Sequence, residues 1–153
     1  MLPYLAIART YYQMGEYYVA ARNLEKALTL DPANPDIYGR LGLVYFHGKN
    51  YEGALEDLSC AVYGCTRDDP NADADLTPVP QITVSGQGLS ASTLEYYFTL
   101  SSVMAALSTP QENHCPQARE LMNQLQAFAP DDVVVMAIVD ENRNICALVE
   151  QSK

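Results

Sequence analysis

Histidine is scarce in this chain, basic residues are outnumbered by acidic ones, and no apolar run is long. His47 and His114 are the only histidines among 153 residues, a thin supply for an active site built from converging acids and bases. Nine Lys and Arg face nineteen Asp and Glu, a net charge of −10. The imbalance is uneven: residues 1–65 hold five basic and seven acidic side chains, residues 66–153 four and twelve. With no basic stripe or cluster to offset that acidity, nucleic acid is excluded as a partner. The longest apolar run, Val133 to Val139 between Asp132 and Asp140, falls short of the ~20 residues a membrane-spanning helix needs. No membrane insertion is expected. Met1, Leu2 and Pro3 lead directly into a patterned helix, without the basic stretch, apolar stretch and cleavage site of a secretory leader.

Motifs of catalysis are missing as well. No phosphate loop, dinucleotide fingerprint, metalloprotease motif or nucleophile elbow occurs, and Gly86-Gln87-Gly88 is too short to count as one. His114 stands beside Cys115 and Pro116, but neighbours on an extended chain point apart, and a thiol and its base are normally assembled from distant segments. The chain is therefore read as no enzyme, and nothing in it calls for a cofactor. Composition, at 48% hydrophobic and 18% charged, is that of a soluble globular domain.

What the chain does have is a repeat of 34 residues. Tyr4 returns as Tyr38, Ile7 as Leu41, Ala8 as Gly42, Tyr11 as Tyr45, Tyr12 as Phe46, Tyr17 as Tyr51, Ala20 as Ala54, Leu24 as Leu58 and Ala27 as Ala61. Within each copy the apolar positions recur at helical spacing, stop near Gly15, and restart, which predicts helix, turn, helix. Asn34 is placed to cap the third helix, with Pro35 at its first position. Small residues at Ala8, Gly42, Ala20, Ala54, Ala27 and Ala61 allow close backbone approach, with Tyr and Leu filling the gaps between.

These positions resemble the tetratricopeptide repeat family, whose pattern runs aromatic, Leu-Gly, Tyr, then Ala, Phe and Pro. Tyr4, Ile7, Ala8, Tyr11, Ala20, Leu24 and Pro32 fill it once, and Tyr38, Leu41, Gly42, Tyr45, Ala54 and Leu58 fill it again. Ala8 departs from the family's Gly, and Thr66 from its closing Pro. The resemblance implies an all-α fold, a right-handed superhelical stack of antiparallel helix pairs with about seven helices, serving as a scaffold for protein–protein interaction. A stretched third copy matches at Tyr97, Leu100, Ser101, Met104, Ala118, Met122 and Pro130, with five residues added around Thr109 to Asn113. Ser92 and Glu95 read as the capping box that starts it. Asp132 to about Gln151 begins a fourth copy, with Met136 and Val139 in the aromatic and Leu positions, and closes the stack. The layout is a single domain: repeat one over 1–34, repeat two over 35–65, an inserted loop over 66–91, a degenerate repeat three over 92–131 and a capping helix over 132–153.

The insert divides into an acidic, polar part, Thr66 to Asp75, expected to be mobile, and a part with alternating apolar residues, Leu76 to Val84, expected to be extended. Loops of this length are either functional or disordered, and both readings stand here. Asp69, Asn71, Asp73 and Asp75 alternate like the first half of a calcium loop, but Ala74 replaces its Gly and Pro80 its bidentate Glu. Calcium is kept as a weak alternative, and no metal site is assigned.

Cys60, Cys65, Cys115 and Cys146 lack the spacing of a zinc site. In the implied solenoid, Cys146 at the end of the capping helix comes close to Cys115 at the start of the preceding one, while Cys60 and Cys65 bracket the start of the insert. Two readings stand, two disulfides or four buried thiols; paired cysteines would put the chain in an extracytoplasmic compartment, unpaired ones in the cytoplasm. The implied concave face is lined by first helices: Leu5, Arg9, Tyr12 and Gln13 in copy one, Arg40, Leu43, Phe46 and His47 in copy two, and Glu95, Phe98, Thr99 and Ser102 in copy three. Arg and aromatic anchors suit an extended peptide or protein segment that carries an acidic group and an apolar side chain. Two other readings compete: Tyr12 and Phe46 complete the core, or Val79 to Val84 fills the groove. An N-terminal edge at Leu2, Tyr4 and Leu5 is a candidate for self-association.

Overall fold

The computed structural model describes residues 2–68, 76–82 and 90–151. The chain divides into two compact units, Met1–Thr83 and Val84–Lys153. Among the described residues there are seven helices in adjacent pairs, as an all-α tetratricopeptide-like fold requires, together with one small hairpin. No helix of the described residues is long and apolar enough to cross a membrane.

The first unit opens with α1 (Leu2–Gln13) and α2 (Tyr17–Leu30), followed by α3 (Pro35–His47) and α4 (Tyr51–Tyr63). The two turns within pairs are copies of each other. Gly15 takes φ +78°, with its N–H on the Tyr12 carbonyl and the Glu16 N–H on the Tyr11 carbonyl at 2.8 Å. Thirty-four residues on, Lys49 takes φ +66°, with its N–H on Phe46 and the Asn50 N–H on Tyr45, again at 2.8 Å. Both are left-handed caps in which the last helical carbonyls are satisfied by the reversing chain. Copy one fills the left-handed position with the residue that adopts it freely, whereas copy two forces a lysine there. At the other end of each pair, Asn34 accepts from the Asp36 N–H at 2.9 Å and Pro35 starts α3, as the sequence predicts.

One core cluster of this unit joins Ala8, Ala20, Leu24 and Ala27 to Ile37, Leu41 and Val44, with Tyr4, Tyr11 and Tyr45 packed at its margin. Helix α3 meets α4 so closely at Gly42 that a Cβ there would stand 2.8 Å from Cδ2 of Leu58, a side chain already fully buried. Between α2 and α3, the Tyr45 hydroxyl donates to Glu25 at 3.3 Å. Burial first, then the negative charges of Asp57 and Glu25, push its pKa from 10 up to about 12.

In the insert, Leu76–Val79 is extended as expected, whereas Thr66 to Asp68, expected to be mobile, lie in a strand. Cys65–Asp68 forms strand β1 and pairs antiparallel with β2 (Leu76–Val79), Cys65 opposite Val79 and Asp68 opposite Leu76. A lone two-stranded hairpin is marginal in water, so its attachments explain why it forms. Val79 is buried against Tyr38, Cys60 and Ala61; the Ile82 N–H donates to the Ala61 carbonyl at 2.9 Å; and Cys60 stands as a disulfide pair with Cys65, Cα atoms 4.9 Å apart. Pro78 stands opposite Thr66 in a ladder that has only two strands among the described residues, the edge setting in which proline is tolerated. Residues 69–75, with the calcium-like alternation at Asp69, Asn71, Asp73 and Asp75, lie outside the described residues, as do 83–89.

The second unit consists of α5 (Ala91–Leu107), α6 (Cys115–Phe128) and α7 (Val133–Gln151), each packed on the other two. The cap of α5 lies two residues before the expected Ser92: it is Ser90, accepting from the Thr93 N–H at 3.2 Å, because Ser90-x-x-Thr93 places a hydroxyl acceptor and a hydroxyl partner at the right interval. The five added residues form the α5–α6 connection, in which Ser108 and Asn113 side chains accept the N–H groups of His114 and Cys115 at 2.9 Å. Val135, Val139, Asn142 and Cys146 make the buried stripe of α7; Met136, expected in the aromatic position, is half-buried beside it. Asn142 donates to the hydroxyls of Ser101 and Ser102 on α5 at 3.0 and 3.1 Å. Cys115 and Cys146 form the second pair, Cα atoms 5.7 Å apart, and Glu150 beside them accepts from Arg119 and Asn113. The C-terminal part of α7 is thus held to the N-terminal part of α6 by both a sulfur pair and an ion pair.

Candidate partner-binding face

The residues expected to line a concave face do not all reach a surface. On α1, Arg9 and Gln13 are exposed and Tyr12 is half-buried; their spacing of three and four residues puts them on one helix face. Leu5 is half-buried against the core cluster. On α3, Phe46 is half-buried and His47 exposed, but Leu43 is only 8% exposed and offers nothing to a guest. The reason lies in the helix: α3 buries Ile37, Tyr38, Gly39 and Leu41 to Val44, whereas α1 buries only Ala8. Arg40 is half-buried and already occupied, its Nε donating to Asp36 one turn earlier at 2.9 Å. Phe98 lies on α5 in the second unit, half-buried, with its carbonyl accepting the hydroxyls of Ser101 and Ser102.

What the fold does bring together is an aromatic cluster around His47. The Tyr12 and Phe46 rings stand edge-on to its imidazole, with centroids at 5.5 and 5.3 Å, and Tyr17 stacks on it at 6.2 Å. Tyr51 adjoins Phe46 at 5.7 Å, and Tyr17 adjoins Tyr12 at 5.9 Å. Pairs of this geometry contribute about 0.5–1.5 kcal/mol each beyond the area they bury. The cluster sits where first helices end and second helices begin, positioned by the twin left-handed turns. Tyr17 and Tyr51 were absent from the expected face, although their 34-residue recurrence marks them; as residues that open second helices, they fall outside a list drawn from first helices. Tyr12 serves both competing readings, since it packs on the core and shows a ring edge outside it.

The chemistry available here is recognition. Arg9 supplies a cation, His47 a ring that can donate or accept, and the surrounding rings supply apolar edges. Among the described residues, no group of three or more His, Cys, Asp or Glu could hold a metal ion. Cys115, next to His114, stands paired with Cys146. At the N-terminal edge, Tyr4 and Leu5 pack on the core and Leu2 is exposed.

A family model described as TPR repeat matches residues 8–48. With the recurrence of 34 residues and the twin turns, this match makes that part of the chain, the end of the first repeat and the start of the second, similar to the tetratricopeptide repeat. Repeats of this family generally mediate protein–protein interaction and are typically non-catalytic. Comparison with curated proteins finds no match.

Proposed function

We propose that the chain is a non-catalytic interaction scaffold that holds an extended peptide or protein segment on the open face formed by α1 and the end of α3. Arg9 takes an acidic group of the guest, and the ring edges of Tyr12, Phe46 and His47 take an apolar side chain. The observation that carries this reading is the aromatic cluster around the exposed His47, with the cation of Arg9 one turn away from Tyr12 on α1. Leu43 and Arg40 contribute less, one buried and the other engaged by Asp36. The two cysteine pairs support an oxidising, extracytoplasmic setting, since such pairs are rare where thiols are kept reduced.

A displayed library of short peptides, selected on the intact chain, tests this. Selected peptides should combine an acidic residue with an aromatic or aliphatic one. Arg9→Ala with Phe46→Ala should weaken them by about tenfold or more, one charged hydrogen bond and one ring contact being lost, while Arg40→Ala alone should change little. Undiminished binding by the Arg9/Phe46 double variant would rule the face out.

A further inference from the structure

A second apolar surface lies along α1, and the protein's own repeat says what fits it. Ala6, Ile7, Thr10, Tyr11 and Met14 line a shallow groove of about 320 Å³. Their spacing of one, three, one and three residues makes a stripe along one helix face. Shifted by 34 residues, Ile7, Thr10 and Tyr11 become Leu41, Val44 and Tyr45, the side chains of α3 that meet α2. Exposure separates the copies: Ile7 is 40% exposed and Leu41 2%. The same stripe is covered in copy two and open in copy one.

The covering element is known in detail. Helix α2 brings Ala20, Leu24 and Ala27 into one cluster with the α3 stripe, and its Glu25 accepts the Tyr45 hydroxyl. Tyr11, the counterpart of Tyr45, makes no side-chain hydrogen bond among the described residues. Helix α1 carries Arg9 and no carboxylate, so an acidic residue on an incoming helix meets no like charge from it.

We propose that the α1 stripe is a docking surface for an amphipathic helix of a partner protein with the pattern Ala-x-x-x-Leu-Glu-x-Ala, in which the two alanines allow close approach, the leucine enters the groove beside Ile7, and the glutamate accepts from Tyr11. This extends the α2–α3 interface by one helix and is independent of the face around His47.

A synthetic peptide of residues 16–31, which carries the pattern, is the probe. Added to the intact chain and followed by nuclear magnetic resonance, it should shift the signals of Ile7, Thr10, Tyr11 and Met14. Ile7→Glu should abolish the shifts. Thr10→Val, which installs the residue found at Val44, should tighten binding about fourfold through one more buried methyl. A peptide with Lys in place of Glu25 should bind at least about threefold more weakly. If Ile7→Glu loses its helical circular dichroism, Thr10→Lys at an exposed position carries the same expectation. The proposal is overturned if those four signals stay unmoved, or if binding survives both charge substitutions. Sedimentation equilibrium supplies the last arm: dimerisation of the chain alone, abolished by Ile7→Glu, would put a second copy in the groove and overturn the assignment to a partner helix.

Discussion

Removing the Cys115–Cys146 pair should cost the second unit at least a third of its stability. The two residues are 31 apart in sequence, and closing a loop of that length in the unfolded chain removes about 3.7 kcal/mol of conformational entropy at 25 °C. Native proteins are stable by about 0.05–0.15 kcal/mol per residue, so a unit of some seventy residues has about 3.5–10 kcal/mol in all, and the loss is between a third and the whole of it. The Cys60–Cys65 pair is a useful internal contrast. Its residues are five apart, worth about 2 kcal/mol by the same relation, and that contribution falls on the hairpin rather than on a helix. The assay is urea unfolding followed by far-ultraviolet circular dichroism, on the oxidised chain, on Cys115→Ala/Cys146→Ala, and on Cys60→Ala/Cys65→Ala. The first variant should lose about 3–4 kcal/mol in a transition that involves α5 to α7, and the second should leave the helical signal nearly unchanged. Equal effects from the two variants would refute the placement, and so would less than about 1 kcal/mol from the first. Mass spectrometry that finds four free thiols after non-reducing purification would refute the pairing itself.

Three further outcomes follow from the first unit. Gly42→Ala should destabilise it by about 1–2 kcal/mol despite the better helix propensity of alanine, because the new methyl meets the fully buried Leu58; a neutral result in chemical denaturation would show that α3 and α4 can move apart. Lys49→Gly should stabilise by up to about 1 kcal/mol, relieving a left-handed lysine at the position Gly15 fills in copy one; a lower unfolding midpoint would refute this. Tyr45 is held protonated to about pH 12 in the fold against 10 when free. Across that window the unfolded chain releases a proton that the folded chain keeps, so this tyrosine's contribution to stability is intact below pH 10 and is lost as pH rises towards 12. Urea midpoints measured across the window should fall less steeply for Tyr45→Phe than for the unchanged chain, and parallel curves would refute the assignment.

The helices were legible because their determinants are local. Gly15, Asn34 and Pro35 specify a turn and a cap from their own backbone preferences, and the apolar period sets which face turns inward. The partners in each cysteine pair were legible one step later, Cys146 with Cys115 from the implied helix directions and Cys60 with Cys65 from their nearness in sequence, but disulfides and buried thiols both stayed open until the structure paired them. The hairpin was not, since Thr66 and its neighbours carry too little apolar alternation to declare a strand; what makes it one is Val79 finding Tyr38 and Ala61, a tertiary event. The start of α5 was misread because Ser90 and Ser92 both suit a cap, and only the Thr93 N–H decides between them.

The candidate face shows a different limit. A repeat tells which residues are equivalent, and equivalence fixes local conformation, as Gly15 and Lys49 demonstrate by making the same turn with unlike side chains. It does not fix burial, because burial belongs to the neighbour. Ile7 and Leu41 occupy one position of one pattern, yet the first is 40% exposed and the second 2%, since within the first unit α2 covers α3 and no described helix covers α1 in the same way. For the same reason Arg9 is open where its counterpart Leu43 is buried, and Arg40 is neutralised by Asp36 where its counterpart Ala6 lines a groove. Binding surfaces in such a chain are therefore found where two equivalent positions differ in exposure. Both surfaces proposed for this protein, the aromatic face beside Arg9 and the stripe along α1, include positions of that kind.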